Sequence, residues 1–493
     1  MPVLLASWLS LLPRAFPPHK GARLLAASAA VFLCPAAPAR AAQALDGAAL
    51  PVALALPFAG LLLTIALAPL LAPKWWHARY PLAAAAWALA SIAALVAAAG
   101  PSAAAAALLH VFALDYVPFI LMLFALFTCA GGLALTGALR GSPLLNCAIL
   151  ALGAAAASVV GTTGAAMILI RPLIRANAGR PFNAHVVVFF IFLVANVGGA
   201  LTPLGDPPLF LGFLHGVDFF WPARHLWPAT LGLAGALLAL FLLVDWFFAR
   251  RDGLPGAARE AGAEPPGVVG LVNVPLIACV VAAIAASGLL RWPPAFEAMG
   301  VAVPWQNVLR EGVMLAAALA SLRLTPAAAR AANGFDFEPI REVAILFAAI
   351  FACIVPVMAM LQAGGSGIFA PILALLERAD GAPNAAAYFW ATGLLSSLLD
   401  NAPTYLVFFE LAGGDPAQLM GEGALTLAAI SCGAVFMGAL TYVGNAPNFM
   451  VYAIARGAGV KMPGFFGYML WSGAILLPLF ALVTLVFFRQ APA

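Results

Sequence analysis

The chain has 493 residues, of which 65% are hydrophobic and 9% charged, whereas soluble proteins carry about 25% charged residues. The mean hydropathy is +1.04, and apolar stretches long enough to cross a hydrocarbon layer roughly 30 Å thick recur along the chain. These values exclude a soluble enzyme, a nucleic-acid binder and a disordered chain; the net charge of +4 reports membrane orientation rather than an acidic partner.

Lys20 and Arg23 precede an apolar run, Leu24 to Leu33, which is followed by Pro35 and Ala39-Arg40-Ala41-Ala42. A basic start, a short apolar run and a small-residue cleavage site read as a secretory signal peptide over residues 1–41, with an uncleaved first helix as the alternative. Membrane spans are then expected at about 48–72, 80–99, 113–139, 182–213 and 226–249. A polar, Gly/Pro-rich linker, 250–267, interrupts the pattern, and spans resume at 268–290, 305–323, 341–362, 421–456 and 463–488. The apolar stretches 143–178 and 384–413 each contain a central turn and read as re-entrant helical hairpins. The fold class expected is therefore an all-α polytopic membrane protein. With residue 42 outside, fourteen Lys and Arg residues fall inside and five outside, which places the linker in the cytoplasm.

An internal repeat organises these spans. Gly199-Ala-Leu-Thr-Pro-Leu-Gly205 matches Gly438-Ala-Leu-Thr-Tyr-Val-Gly444, and the likeness runs on through Asp206/Asn445, Pro208/Pro447 and Phe210/Phe449. At the same spacing, Ser158–Gly164 lies under Ser397–Pro403. Five crossings per half is odd, so the halves 48–249 and 268–488 are expected to sit in the membrane with opposite orientation, as inverted repeats do in secondary transporters. Each half holds a discontinuous helix. Pro203, Pro207 and Pro208 with Gly205 cannot sit in an unbroken helix, because proline removes an N–H and clashes with the preceding turn. Freed carbonyls at such breaks bind cations, and half-helix N-termini face anions.

The candidate ion- or substrate-binding residues follow from these breaks and tips. They are Thr162 and Thr163 in the first hairpin, Asn196, Thr202, Gly205 and Asp206 at the first break, Asp400, Asn401 and Thr404 in the second hairpin, and Thr441, Asn445 and Asn448 at the second break. The oxygen-rich tips and breaks are expected to form two pseudo-symmetric pockets, with Na⁺ as a possible ligand at the same residues; preference of hard cations for oxygen is extended here from divalent sites. Asp206 and Asp400 carry the chemistry, since a carboxylate at membrane depth is costly and functional by default; the alternative is that each caps the half-helix that follows it. Asp115 with His110 is expected at an interfacial helix entrance, Asp245 in a surface pair with Arg250 and Arg251, and Glu410, three residues before Gly413, in reach of solvent, with a relay role as its alternative. Tryptophans 75, 76, 221, 227, 246, 292, 305 and 471 read as interfacial belts. The scattered cysteines and histidines show no metal-ligand spacing, and no cofactor is expected beyond transported Na⁺ or Li⁺ and H⁺.

The blocks Asn196–Pro208, Leu399-Asp-Asn-Ala-Pro-Thr404 and Gly444-Asn-Ala-Pro-Asn448 resemble the ion transporter superfamily. Within it the likeness is to NhaD-type sodium/proton antiporters, related to arsenite-permease and citrate-transporter-like proteins, over about residues 48–488. The resemblance implies a fixed scaffold, a mobile transport part, elevator-like alternating access and a homodimer in the bacterial inner membrane, with lipid and small inorganic ions as the other partners. Related dicarboxylate carriers have Ser-Asn-Thr at both hairpin tips, and this chain does not. Two rival functions remain: an anion carrier for arsenite or a small carboxylate, against which no Lys or Arg stands at a break, and an intramembrane aspartyl protease. The protease is opposed by Pro203 in place of the glycine expected before Leu204-Gly205-Asp206, and by the order Asp115-Tyr116.

Overall fold

A computed structural model describes residues 45–137, 139–252 and 267–490. The signal-peptide reading lies outside the described residues, as does linker segment 253–266. Eight described helical segments are long and apolar enough to cross a membrane.

The helices follow proline placement closely. Proline at the first or second position, where its missing N–H is no loss, opens α1 (Leu56–Leu71), α2 (Pro73–Ala99) and α3 (Pro101–Ala130). The third span thus begins at residue 101 and ends at 130, not at 113–139. Pro118 lies inside it, and the turn before, Phe112–Tyr116, widens to a π-helix. A π-turn is one way for a helix to absorb an interrupted hydrogen-bond ladder without ending.

The first hairpin is α4 (Pro143–Val160) and α5 (Thr162–Ala176), joined at Gly161. The first broken helix is α6 (Ala184–Leu193), a 3-10 turn at Val197–Leu201, and α7 (Pro207–Leu214); α8 (Trp227–Asp252) follows. After the linker come α9 (Asn273–Leu289), α10 (Trp305–Leu324) and α11 (Glu338–Gln362). The second hairpin is α12 (Ala385–Leu398) and α13 (Asn401–Leu411). The second broken helix is α14 (Ala424–Met437), a 3-10 turn at Gly438–Leu440, and α15 (Ala446–Gly457); α16 (Phe465–Val483) closes the described fold. Both hairpins and both breaks stand where the apolar pattern and the prolines predict them.

The structure is not purely helical. Ala134–Thr136 pairs antiparallel with Gly267–Val269, and Pro294–Ala298 with Val301–Pro304. The second ribbon turns at Met299 and Gly300, both at positive φ, which suits the twist of a two-residue hairpin turn.

Two packing groups emerge. Helices α1, α2, α3, α9, α10 and α11 pack among themselves, and the hairpins and broken helices pack among themselves with α8 and α16. They meet where α3 touches α5 and α7, and where α11 touches α13. The span Ala184–Leu201 is 89% buried, against 17% for α2. Broken helices belong inside, because freed backbone groups in contact with lipid would lack partners. Leu71, Phe466 and Leu470 are widely exposed, as a surface facing hydrocarbon should be. Trp75, Trp227, Trp246, Trp292 and Trp305 are exposed, but Trp76 and Trp221 are buried and belong to the core rather than to an interfacial belt.

Candidate functional site

The two breaks are built by the same local bonds. Thr202 Oγ1 donates to the Ser158 carbonyl, and Thr441 Oγ1 donates to the Ser397 carbonyl at 2.6 Å. Each hydroxyl also accepts a backbone N–H two residues on, from Leu204 at 3.2 Å and Val443 at 3.1 Å. The threonines therefore clamp each break to its hairpin and satisfy the freed backbone. Gly205 and Gly444 let the chain cross itself. A Cβ at Gly205 would lie 2.0 Å from the Gly199 carbonyl oxygen, and one at Gly444 would lie 2.6 Å from that of Gly438.

The hairpin tips differ. Gly161 turns the first at φ 81°, and the Thr162 N–H then donates to the Gly205 carbonyl at 2.8 Å. Leu399 and Asp400 turn the second in extended conformations.

Tips and breaks converge on one carboxylate. Asp206 is 1% exposed. Its Oδ1 accepts from Thr162 Oγ1 at 3.1 Å and from Asn445 Nδ2 at 3.0 Å, and its Oδ2 accepts from Asn401 Nδ2. Both tips and the second break thus donate to the residue that ends the first break, and the two oxygen-rich pockets expected from the repeat are one cluster. An asparagine relay extends it: Asn445 Nδ2 donates to Asn196 Oδ1 at 3.2 Å, Asn196 Nδ2 to Asn448 Oδ1 at 2.7 Å, and Asn448 Nδ2 to the carbonyls of Gly438 and Thr441, both at 2.9 Å. The Asn401 Oδ1 atom is buried and has no donor among the described residues. An acceptor left so costs about 1–3 kcal/mol, and a cation is one partner that would offset it.

The remaining candidates lie beside the cluster. Asp400 is half-buried, and its Oδ1 accepts from Ala402 N at 3.0 Å, so it caps α13. Thr404 Oγ1 donates to the Asp400 carbonyl at 2.9 Å. Thr163 is half-buried and takes no part in the bonds that join the cluster. Asp400 is engaged with its own helix, an arrangement unlike a protease dyad in which two carboxylates share a proton. Four half-helices, α5, α7, α13 and α15, begin at this cluster, and each N-terminus carries roughly +0.5 of an elementary charge.

Three acidic residues stand elsewhere than the sequence suggests. Asp245 is fully buried: it pairs with Arg180 at 2.6 Å and accepts from His185 Nε2 at 2.8 Å and from Asn146 Nδ2 at 2.9 Å. Arg250 instead lies over the Trp246 ring, 3.6 Å from its centroid. Asp115 is buried in the π-turn of α3 and faces His215, and Glu410 is buried near the same histidine. Neither pairing is visible in sequence, because the partners are about a hundred or more positions apart and share no motif.

A helical, multi-pass chain whose interior holds two hairpins and two broken helices around one carboxylate has the build of a membrane transporter. Residues 47–488 match the family described as "Putative citrate transport", and the chain belongs to that family of transporters. A search of curated proteins gave no match.

Proposed function

We propose that the chain is a secondary active transporter exchanging Na⁺ or Li⁺ for protons across the bacterial inner membrane. In this reading two inverted repeats form a homodimer-borne scaffold and an elevator-like transport part, and the linker 250–267 is cytoplasmic. The observation that carries it is Asp206, the carboxylate on which both tips and the second break converge, and which has no Lys or Arg among its partners.

The Asn401 amide supports competition between proton and cation. An ionised Asp206 takes both of its oxygens as acceptors, so Asn401 offers Nδ2 and leaves Oδ1 free for a cation. A protonated Asp206 is a donor; the amide then turns over, Oδ1 accepts the proton and the cation loses a ligand. One group thus accepts either ion and not both.

A second reading, an anion carrier, is favoured by the family description and by the four half-helix N-termini at the cluster. Proteoliposomes separate the two. Na⁺ or Li⁺ pulses should drive proton movement in wild type, and Asp206→Asn, which keeps shape but cannot titrate, should abolish it while expression and folding persist. Asn445 already holds the equivalent neutral position in the second break. Wild-type exchange by Asp206→Asn, or citrate uptake without cation-driven proton movement, would put the anion carrier in front.

A further inference from the structure

A second group of titratable side chains lies at the far ends of the half-helices that leave the Asp206 cluster. Asp206 immediately precedes α7 without capping it, Asp400 caps α13, and the two helices pack against each other. His215 follows the end of α7, about 12 Å along its axis by the rise of eight residues, and Glu410 lies in the last turn of α13. Between these ends, Tyr405 lies one turn beyond Asn401, and its hydroxyl abuts Gly212, where a Cβ would lie 2.3 Å away. Asp115 approaches from α3, which belongs to the other packing group.

His215 stands between two carboxylates. Its Nε2 is 3.3 Å from Asp115 Oδ1, and its Nδ1 is 4.0 Å from Glu410 Oε1. Asp115 and Glu410 are 8% and 5% exposed. Among the described residues Nε2 has no aligned hydrogen-bond partner, the Asp115 oxygen at 3.3 Å being the nearest acceptor. With both carboxylates ionised and the imidazole neutral the group would carry two negative charges, and a proton on His215 would remove one.

The other polar and charged groups near it do not balance that charge. Gln362 at the end of α11 bonds to Glu410. Asp218 pairs with Arg224 at 3.6 Å and caps Phe220 N, Asp415 caps the turn at Ala417, and His110 is exposed. Tyr116, beside Asp115, donates to the Ala344 carbonyl at 3.0 Å. Phe409 covers the imidazole edge-on.

We propose that His215, Asp115 and Glu410 form a proton-binding site at the ends of α7 and α13 remote from the Asp206 cluster. The site rests on the exchange proposed above and names where its protons are taken up and released. Because Asp115 and the other two residues lie in different packing groups, the site also exists only while those groups are in this register.

Two measurements test it. In proteoliposomes at fixed Na⁺, His215→Gln should remove the pH dependence of exchange between about pH 5 and 8. Independently of transport, ¹⁵N NMR of imidazole-labelled protein in detergent should show one resonance, absent in His215→Gln, that titrates in wild type. Its midpoint should move by about one pH unit toward acid in Glu410→Gln or Asp115→Asn, as loss of a neighbouring carboxylate requires. If His215→Gln does not fold, the carboxylate variants still read the site through that resonance. A resonance that does not titrate, or a midpoint unmoved in both carboxylate variants, would sink the proton site. A resonance that responds to Na⁺ instead of pH would make it a cation site. Wild type that moves no protons on Na⁺ or Li⁺ pulses while the resonance titrates would overturn the antiport reading and leave the proton site standing.

Discussion

The two hairpins begin from one template and are fastened differently. At the tips both serve the same acceptor: Thr162 and Asn401, equivalent positions of the repeat, each donate to Asp206. At the bases they part. The first is locked by a buried network in which Asp245 of α8 binds Arg180, His185 and Asn146, and Asn146 and Asn177 exchange amide bonds at 2.9 and 2.8 Å. At the second, Asn384 caps α12, Gln490 accepts from Ala385 N at 3.1 Å, and Arg378 pairs with Asp380 in a partly exposed turn. The second hairpin also borders an apolar cavity of 260 Å³ that reaches Leu399, Pro403 and Thr404 from α1 and α11. The two tips keep the same acceptor while their anchoring differs. The second hairpin thus has fewer buried bonds at its base and an apolar cavity beside its tip.

Three substitutions sharpen or break this contrast. The largest expected effect on stability comes from Asp245→Asn, which leaves Arg180 buried without its carboxylate and should cost about 3–5 kcal/mol. Thermal unfolding in detergent, compared at one scan rate, should drop far more than for Asn384→Ala at the second base; equal losses would remove the asymmetry. Gly205→Ala comes next, at about 1–3 kcal/mol for forced overpacking. It should exceed Gly444→Ala, whose added Cβ meets a carbonyl at 2.6 Å instead of 2.0 Å, and the reverse order would mean that the second break is the tighter. The smallest is Asp400→Ala, which loses the α13 cap and should cost about 1 kcal/mol. If it instead abolishes exchange while stability falls no further than this, Asp400 is an ion ligand as well as a cap.

Much of the architecture was legible before any coordinates. Chain length, apolar runs and proline spacing located both hairpins and both breaks, because membrane burial demands long apolar segments and proline cannot continue a helix. The internal repeat placed Thr162 and Asn401 at the tips and Asp206 and Asn445 at the breaks of two expected pockets. The convergence of both tips on Asp206 alone was not legible, since a repeat in sequence is blind to how closely its two copies approach. Nor were the start of α3 at residue 101, the ribbon strands, or the burial of Trp76 and Trp221. Pattern alone does not separate an apolar face toward lipid from one toward protein.

The sequence by itself determined that this is a membrane protein with two interrupted elements of each kind, through local rules that act within a few residues of each other. Tertiary structure alone decided the partners of Asp245, Asp115 and Glu410. A charge near the end of an apolar run reads as interfacial until another helix covers it, and the residues that answer these three, Arg180 and His185 for Asp245 and His215 for Asp115 and Glu410, come from segments remote in the chain. Buried charges are tolerated only where such partners meet them, and where they meet is set by the packing of whole helices.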